Sequence, residues 1–144
     1  MSPLLPVVPC VWLKPGVRFA ERPPPGGIRI LSAIDQAAQA LGQDLLITSG
    51  ADSHSTGRHA VGEAYDIGTK TLDVATILRL FDFLQKTLGD RFTVLYESPT
   101  PPIEFMLVRI ATINPHATGE HLHCQVRRGT TYPPGDGGDG EQAV

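Results

Sequence analysis

The sequence is poor in cysteine, in basic charge and in long apolar runs. Only two of its 144 residues are cysteines, and Cys10 and Cys124 lie so far apart that two free thiols are favoured over a disulfide. The formal net charge is −3, which argues against the basic surface that nucleic-acid-binding proteins need. No segment approaches the ~20 apolar residues of a membrane-spanning helix. We therefore expect no nucleic-acid partner and no membrane span.

The apolar start of the chain does not have the form of a secretory signal. Pro3, Pro6 and Pro9 interrupt it, and no lysine or arginine precedes it. A signal peptide has a basic beginning followed by an unbroken apolar stretch. We therefore expect the chain to be made in the cytoplasm without a signal peptide and to stay there unless another process exports it.

What the sequence does contain suits one small domain. A length of 144 residues and a hydrophobic fraction of 41% favour a single globular core. We place a single domain at residues 1–132 and expect it to be monomeric. Residues 133–144 have almost no apolar side chains and are predicted to form a disordered tail.

Hydrophobic spacing predicts two helices and several strands. Helical spacing covers residues 28–41 and 74–88, and Gly42 and Gly89 stand where each helix would end. Apolar or alternating runs predict strands at residues 44–49, 92–97, 105–110 and 121–128. A polar loop joins the first strand to the second helix. This order predicts an α+β fold with a mostly antiparallel sheet flanked by two helices.

Side chains with metal-binding chemistry gather in two short segments. The first runs from His59 to Asp66, and Gly62 between them allows the loop to turn back, so an imidazole and a carboxylate could meet on one metal ion. The second holds His121 and His123, which share a face because residues two apart on a strand point the same way. The residues between and after these histidines, Leu122, Cys124 and Val126, would then face the core.

Two histidines and one aspartate with an open fourth position form a ligand set of the catalytic zinc type, because zinc accepts nitrogen and oxygen ligands tetrahedrally. Structural zinc sites usually use thiolates, and the chain offers no close cysteine pair. From the residues alone other interpretations stay open. His121 and His123 can be a surface pair, His59 and Asp66 can be hydrogen-bonding partners in a loop, and a domain of that kind binds no metal.

The two segments together resemble the zinc D-Ala-D-Ala carboxypeptidase family of peptidoglycan peptidases through the pattern His59-x-x-Gly62-x-Ala64-x-Asp66, followed by Glu120-x-x-His123. That family includes VanX- and VanY-type enzymes and several phage endolysins, and it shares a zinc fold with the hedgehog signalling domain. The resemblance covers about residues 44–68 and 119–126. It implies a hedgehog-like fold around one zinc ion.

The resemblance implies that His59, Asp66 and His123 bind the zinc and that Glu120 is the general base. His121 matches an extra histidine that some members carry just before the last ligand, where it either supports a ligand from behind or contacts the transition state. Strict alternation of side chains along the strand would place Glu120 on the face opposite His123. Gly119, at the beginning of the strand, could relax this alternation.

Two positions depart from the family pattern near the first motif. Members often have Tyr-Arg after a Ser-Gly that corresponds to Ser49 and Gly50, and that arginine helps to polarise the scissile carbonyl. This chain has Ala51 and Asp52 there. The role of steadying the oxyanion is then left to Arg58 or His121.

The implied function is a zinc-dependent peptidase that hydrolyses an amide bond in peptidoglycan stem peptides, either as a D,D-carboxypeptidase or as an L,D-type endopeptidase or endolysin. The alternative is a non-catalytic zinc-binding domain of the same fold. A cupin-like oxygenase also uses His-x-His, but there further ligands follow the pair, whereas His123 is the last histidine here. Because peptidoglycan lies outside the membrane, a phage-type release is one way to reach it. His54 and His116 receive no role.

Overall fold

A six-stranded sheet is the framework of the computed structural model, which describes residues 8–51 and 57–134. The strands are β1 (Val11–Leu13), β2 (Leu45–Ser49), β3 (Ala64–Gly68), β4 (Phe92–Ser98), β5 (Ala111–Ile113) and β6 (His121–Val126). The helices are α1 (Pro25–Leu41), α2 (Gly57–Ala60), α3 (Val74–Leu88) and α4 (Phe105–Val108). The predicted disordered tail lies outside the described residues from position 135 onward, and so does His54.

The sheet is mixed, with the strand order β1-β2-β3-β6-β4-β5. The three central pairs are antiparallel, whereas the two edge pairs, β1–β2 and β4–β5, are parallel. The α+β class is confirmed, but the prediction of a mostly antiparallel sheet is wrong. Neither edge strand was predicted, and each reaches its parallel neighbour through a helical crossover, α1 at one edge and α4 at the other.

The two long helices confirm the helical spacing in the sequence. α1 ends at Gly42, whose left-handed conformation (φ 61°) is the usual glycine termination of a helix. α3 begins after Asp73, whose carboxylate accepts the Thr76 N–H at 2.8 Å, and it ends before Gly89. No helix in the described parts of the chain has both the length and the apolar character to cross a membrane.

The strand predicted at residues 105–110 is a short helix instead. The N–H groups of Leu107 and Val108 both donate to the carbonyl of Glu104, which closes a helical turn, and the extended segment begins only at Ala111. A short apolar run without alternation does not distinguish a helix from a strand, so the residue types alone could not decide this segment.

The helices α1 and α3 cover one face of the sheet and enclose the core. β6 shows most clearly that one face of the sheet is the core face. Leu122, Cys124 and Val126 are completely buried beneath the helices, as predicted. Cys10 is exposed and both cysteines are free, which confirms that prediction too. The alternate residues of β6 therefore lie on the opposite face, where the polar side chains gather.

A close contact between α1 and the loop before β3 positions the short helix α2. A Cβ atom at Gly27 of α1 would lie only 2.0 Å from the carbonyl oxygen of Gly62, so only glycine allows this approach. Gly62 itself has a φ of +82°, which favours glycine as well. The turn predicted at Gly62 is thus held against α1, and it carries His59 toward the sheet.

Candidate metal centre

Strand register brings the polar residues of three strands to one place on the open face of the sheet. Asp66 of β3 is paired with His123 of β6, and Glu97 of β4 is paired with His121 of β6. His59 reaches the same place from α2. The sheet therefore assembles residues that are up to 64 positions apart in sequence (59 to 123).

Asp66 lies at the centre of the group. Its Oδ1 is 2.8 Å from Nδ1 of His123 and 3.4 Å from Nε2 of His59. The three side chains are only 11 to 13% exposed, and their ligand atoms lie within 4.8 Å of one another. The structure thus brings together the three predicted zinc ligands as a group that could hold a metal ion.

Each imidazole of this group is fixed through its other ring nitrogen. Nδ1 of His59 donates to the carbonyl of Gly50 at 3.0 Å, and Nε2 of His123 lies 2.7 Å from Oε1 of Gln125. Metal-binding histidines are held in this way, with one nitrogen toward an oxygen acceptor and the other toward the ion. The rings therefore suit a metal, and sequence reasoning missed Gln125 although it follows His123 by two residues on the same face.

Glu97 and His121 form a second pair beside the group. Nε2 of His121 lies 2.9 Å from Oε1 of Glu97 and 3.7 Å from Oδ2 of Asp66, and its Nδ1 donates to the Gly119 carbonyl at 3.1 Å. With His123 these two residues also offer three potential metal ligands within 4.8 Å. Because His123 belongs to both groups, they form one connected cluster.

Within the cluster, Asp66 and Glu97 favour their ionised forms, and His121 and His123 favour their protonated forms. Burial opposes the charge of Asp66, but hydrogen bonds from His123 and His59 and the charge of His121 hold its pKa well below the usual range. Burial likewise opposes the charge of His123 and His121, but hydrogen bonding to Asp66 and Glu97, respectively, raises both pKa values. The hydrogen bond from His121 lowers the pKa of Glu97. A metal cation that binds to this cluster would therefore replace protons on the imidazoles.

The cluster forms the floor of a cavity of about 580 Å³ that is open to solvent. One wall comes from β1 and β2, and the other comes from the loop between β5 and β6. The wall residues are Lys14, Thr48, Ser49, Asn114, His116, Ala117 and Thr118. This volume lies within the range of about 300–1,000 Å³ that is typical of small-molecule sites.

Glu120, the predicted general base, is not brought to the cluster. Its carboxylate accepts the hydroxyl of Tyr96 at 2.6 Å, and Tyr96 is fully buried among the core residues beneath the helices. Burial, followed by the hydrogen bond to Glu120, raises the pKa of Tyr96. Glu120 directly precedes β6, and it belongs to neither group of potential metal donors among the described residues.

Arg58, the predicted oxyanion residue, is also engaged elsewhere. Its guanidinium pairs with the carboxylate of Glu63 and donates to the carbonyls of Arg127 at 3.0 Å and Thr130 at 3.3 Å. It does not line the cavity. These contacts connect α2 to the segment after β6, so the role of Arg58 in this structure is structural.

Glu97 is a potential metal donor in the cavity that the sequence analysis missed. The alternation of β4 contains part of the signal, because burial of Phe92, Val94 and Tyr96 requires Glu97 to lie on the other face. The missing information was the pairing of β4 with β6, which places Glu97 opposite His121.

Comparisons with protein-family models, curated proteins and solved structures find no match to this chain. Its similarity to the zinc D-Ala-D-Ala carboxypeptidases therefore remains a prediction from the two motifs.

Proposed function

We propose that this protein is a zinc-dependent hydrolase of amide bonds in peptidoglycan stem peptides. The observation that carries the proposal is the convergence of His59, Asp66 and His123 on the floor of one open cavity, with each imidazole oriented by an oxygen acceptor. The substrate class rests on the resemblance of the two motifs to the zinc D-Ala-D-Ala carboxypeptidases.

The donor set is suited to zinc of the catalytic kind. Catalytic zinc sites use three protein ligands of mixed nitrogen and oxygen type and keep one position open, whereas structural sites use four, commonly thiolates. The three donors here face a cavity, and the nearby Cys124 points into the core on the other side of the sheet. A bound zinc ion would polarise the amide carbonyl and acidify an attacking water.

Glu97 is better placed than Glu120 to move the proton. Glu97 lines the cavity next to the three donors and is held ionised by His121, so it can accept a proton from the attacking water and pass it to the leaving amine. The imidazole of His121, fixed by Gly119 and Glu97, lines the cavity, where its positive charge would stabilise negative charge that develops on a substrate oxygen.

Digestion of purified muropeptides tests the proposal. We expect the zinc-supplemented chain to release a smaller peptide or an amino acid, detected by mass spectrometry. His59→Ala should lose both zinc and product, whereas His116→Ala, a change on the cavity wall outside the two donor groups, should retain zinc.

Two results would count against the proposal in different ways. Zinc binding without hydrolysis of any muropeptide would contradict the hydrolase and support the non-catalytic zinc-binding domain. A chain that binds no zinc without chelators present would contradict both.

A further inference from the structure

The two oxygens of the Asp66 carboxylate face different histidines. Oδ1 lies 3.4 Å from Nε2 of His59 and 2.8 Å from Nδ1 of His123, whereas Oδ2 lies 3.7 Å from Nε2 of His121. An ion held by the first two histidines would use Oδ1 and leave Oδ2 directed at the third. A carboxylate in this arrangement can connect two metal ions, which lie about 3.5–4 Å apart in two-metal sites.

Glu97 and His121 have the geometry of donors to a second ion. Nδ1 of His121 donates to the carbonyl of Gly119, so Nε2 is the nitrogen that faces the cluster, 2.9 Å from Oε1 of Glu97. His59 is held toward the first ion in the same manner, through a backbone carbonyl.

The spacing of these donors suits zinc. Two donors that each lie about 2.0–2.1 Å from a tetrahedral zinc ion are about 3.3 Å apart. The distances from Nε2 of His121 are 2.9 Å to Glu97 and 3.7 Å to Asp66, one on either side of this value. Glu97 and His121 also line the cavity, so an ion can reach them from solvent.

The second ion should bind more weakly than the first. The first ion is offered two imidazoles and one carboxylate oxygen, whereas the second is offered one imidazole, Glu97 and the other oxygen of Asp66. Two divalent cations this close also repel each other. We therefore expect one zinc ion per chain at low free zinc and a second only at higher free zinc.

We propose that Glu97 and His121 bind a second zinc ion, joined to the first through Asp66, and that this ion switches hydrolysis off. The inference rests on the proposed function and adds regulation of the same site by zinc. A Glu97 carboxylate that binds this ion cannot accept a proton from the attacking water. A His121 imidazole that binds it no longer carries the proton whose charge would stabilise a substrate oxyanion.

Titration with zinc tests the second site without turnover. The full chain is dialysed against buffers that fix free zinc between nanomolar and submillimolar levels, and bound zinc is measured by mass spectrometry. We expect two steps in the wild type, one equivalent each, with the second at least about tenfold weaker because of repulsion and the smaller number of imidazoles.

Variants assign the second step to its donors. Glu97→Gln and His121→Ala should each keep the first step and lose the second. Their matched controls are Glu120→Gln and His116→Ala, which remove a carboxylate and an imidazole that belong to neither donor group among the described residues. Both controls should keep the two steps.

Hydrolysis of muropeptides by the wild type, measured at the same free zinc levels, tests the switch. We expect the rate to be highest when one equivalent is bound and to fall at least tenfold along the second step. A rate that persists or rises along that step would overturn the inhibitory role.

The outcomes separate this inference from the proposed function. A wild-type chain that saturates at one equivalent, or a second step that survives both Glu97→Gln and His121→Ala, would overturn the second site. Absence of hydrolysis at one equivalent would instead refute the proposed function, and the switch with it, while the titration would still decide whether Glu97 and His121 bind an ion.

Discussion

Replacing Glu97 and Glu120 by glutamine, one at a time, compares the general base that the geometry favours with the one that the motif implies. Each change keeps the size of the side chain and removes its charge. Glu97 lies in the cavity and pairs with His121 at 2.9 Å. Glu120 is bonded to the hydroxyl of the buried Tyr96. The two variants should therefore affect different properties.

The expected magnitudes differ widely. General acid–base catalysis contributes about 10²–10⁴-fold to a rate, so Glu97→Gln should raise the activation free energy by about 3–5 kcal/mol. Glu120→Gln removes one charge-assisted hydrogen bond but leaves an amide oxygen to accept from Tyr96. We expect it to lower the free energy of unfolding by about 1 kcal/mol and to change kcat by less than about threefold.

The assay combines kcat on a stem peptide, zinc content by mass spectrometry and urea unfolding for each variant. Zinc content serves as the control, since it shows whether a loss of activity reflects the base or the ion. A large fall in kcat for Glu120→Gln, with Glu97→Gln near wild type, would refute the argument from the cavity. Loss of zinc in Glu97→Gln would show that Glu97 is a ligand and contradict its role as base.

Three further predictions concern packing, protons and thiols. Gly27→Ala should destabilise the chain by about 1–3 kcal/mol in urea unfolding, because its Cβ would clash with the Gly62 carbonyl, and an unchanged midpoint would contradict this contact. Zinc affinity, measured against a zinc indicator between pH 5 and 8, should fall as the pH drops below the raised pKa of His123, since protons then compete for the ring; a pH-independent affinity would argue against His123 as a ligand. A thiol reagent should modify the exposed Cys10 in the native protein but reach Cys124 only after unfolding, because burial raises the pKa of Cys124 to about 12; rapid native labelling in Cys10→Ser would contradict its burial.

Local patterns in the sequence were sufficient for the elements whose formation depends on neighbouring residues. The spacing of apolar residues predicts α1 and α3, and Gly42 and Gly89 predict their ends, because these signals act within a few residues. The alternation of β6 predicts that His121 and His123 share one face while Cys124 faces the core. The proximity of His59, Asp66 and His123 was predicted from motif spacing and family resemblance.

The remaining features depend on which strands pair, and the sequence does not state this. β1 lies in a proline-rich segment with little strand signal, and its parallel pairing with β2 becomes possible only through α1. Glu97 enters the site because β4 pairs with β6, a contact between segments 24 residues apart at Glu97 and His121. Glu120, selected by the motif, directly precedes β6, and its carboxylate is held by the hydroxyl of Tyr96 rather than beside the donors.

Zinc stoichiometry tests the central claim most directly. The measurement is the metal content of the purified chain and of Asp66→Asn, prepared without chelators and compared with Glu120→Gln as a matched carboxylate control. We predict about one zinc per chain in the wild type and in Glu120→Gln, and almost none in Asp66→Asn, since Asp66 is the donor that both His59 and His123 approach. A wild-type chain without zinc, or an Asp66→Asn variant that keeps it at the wild-type level, would contradict the account.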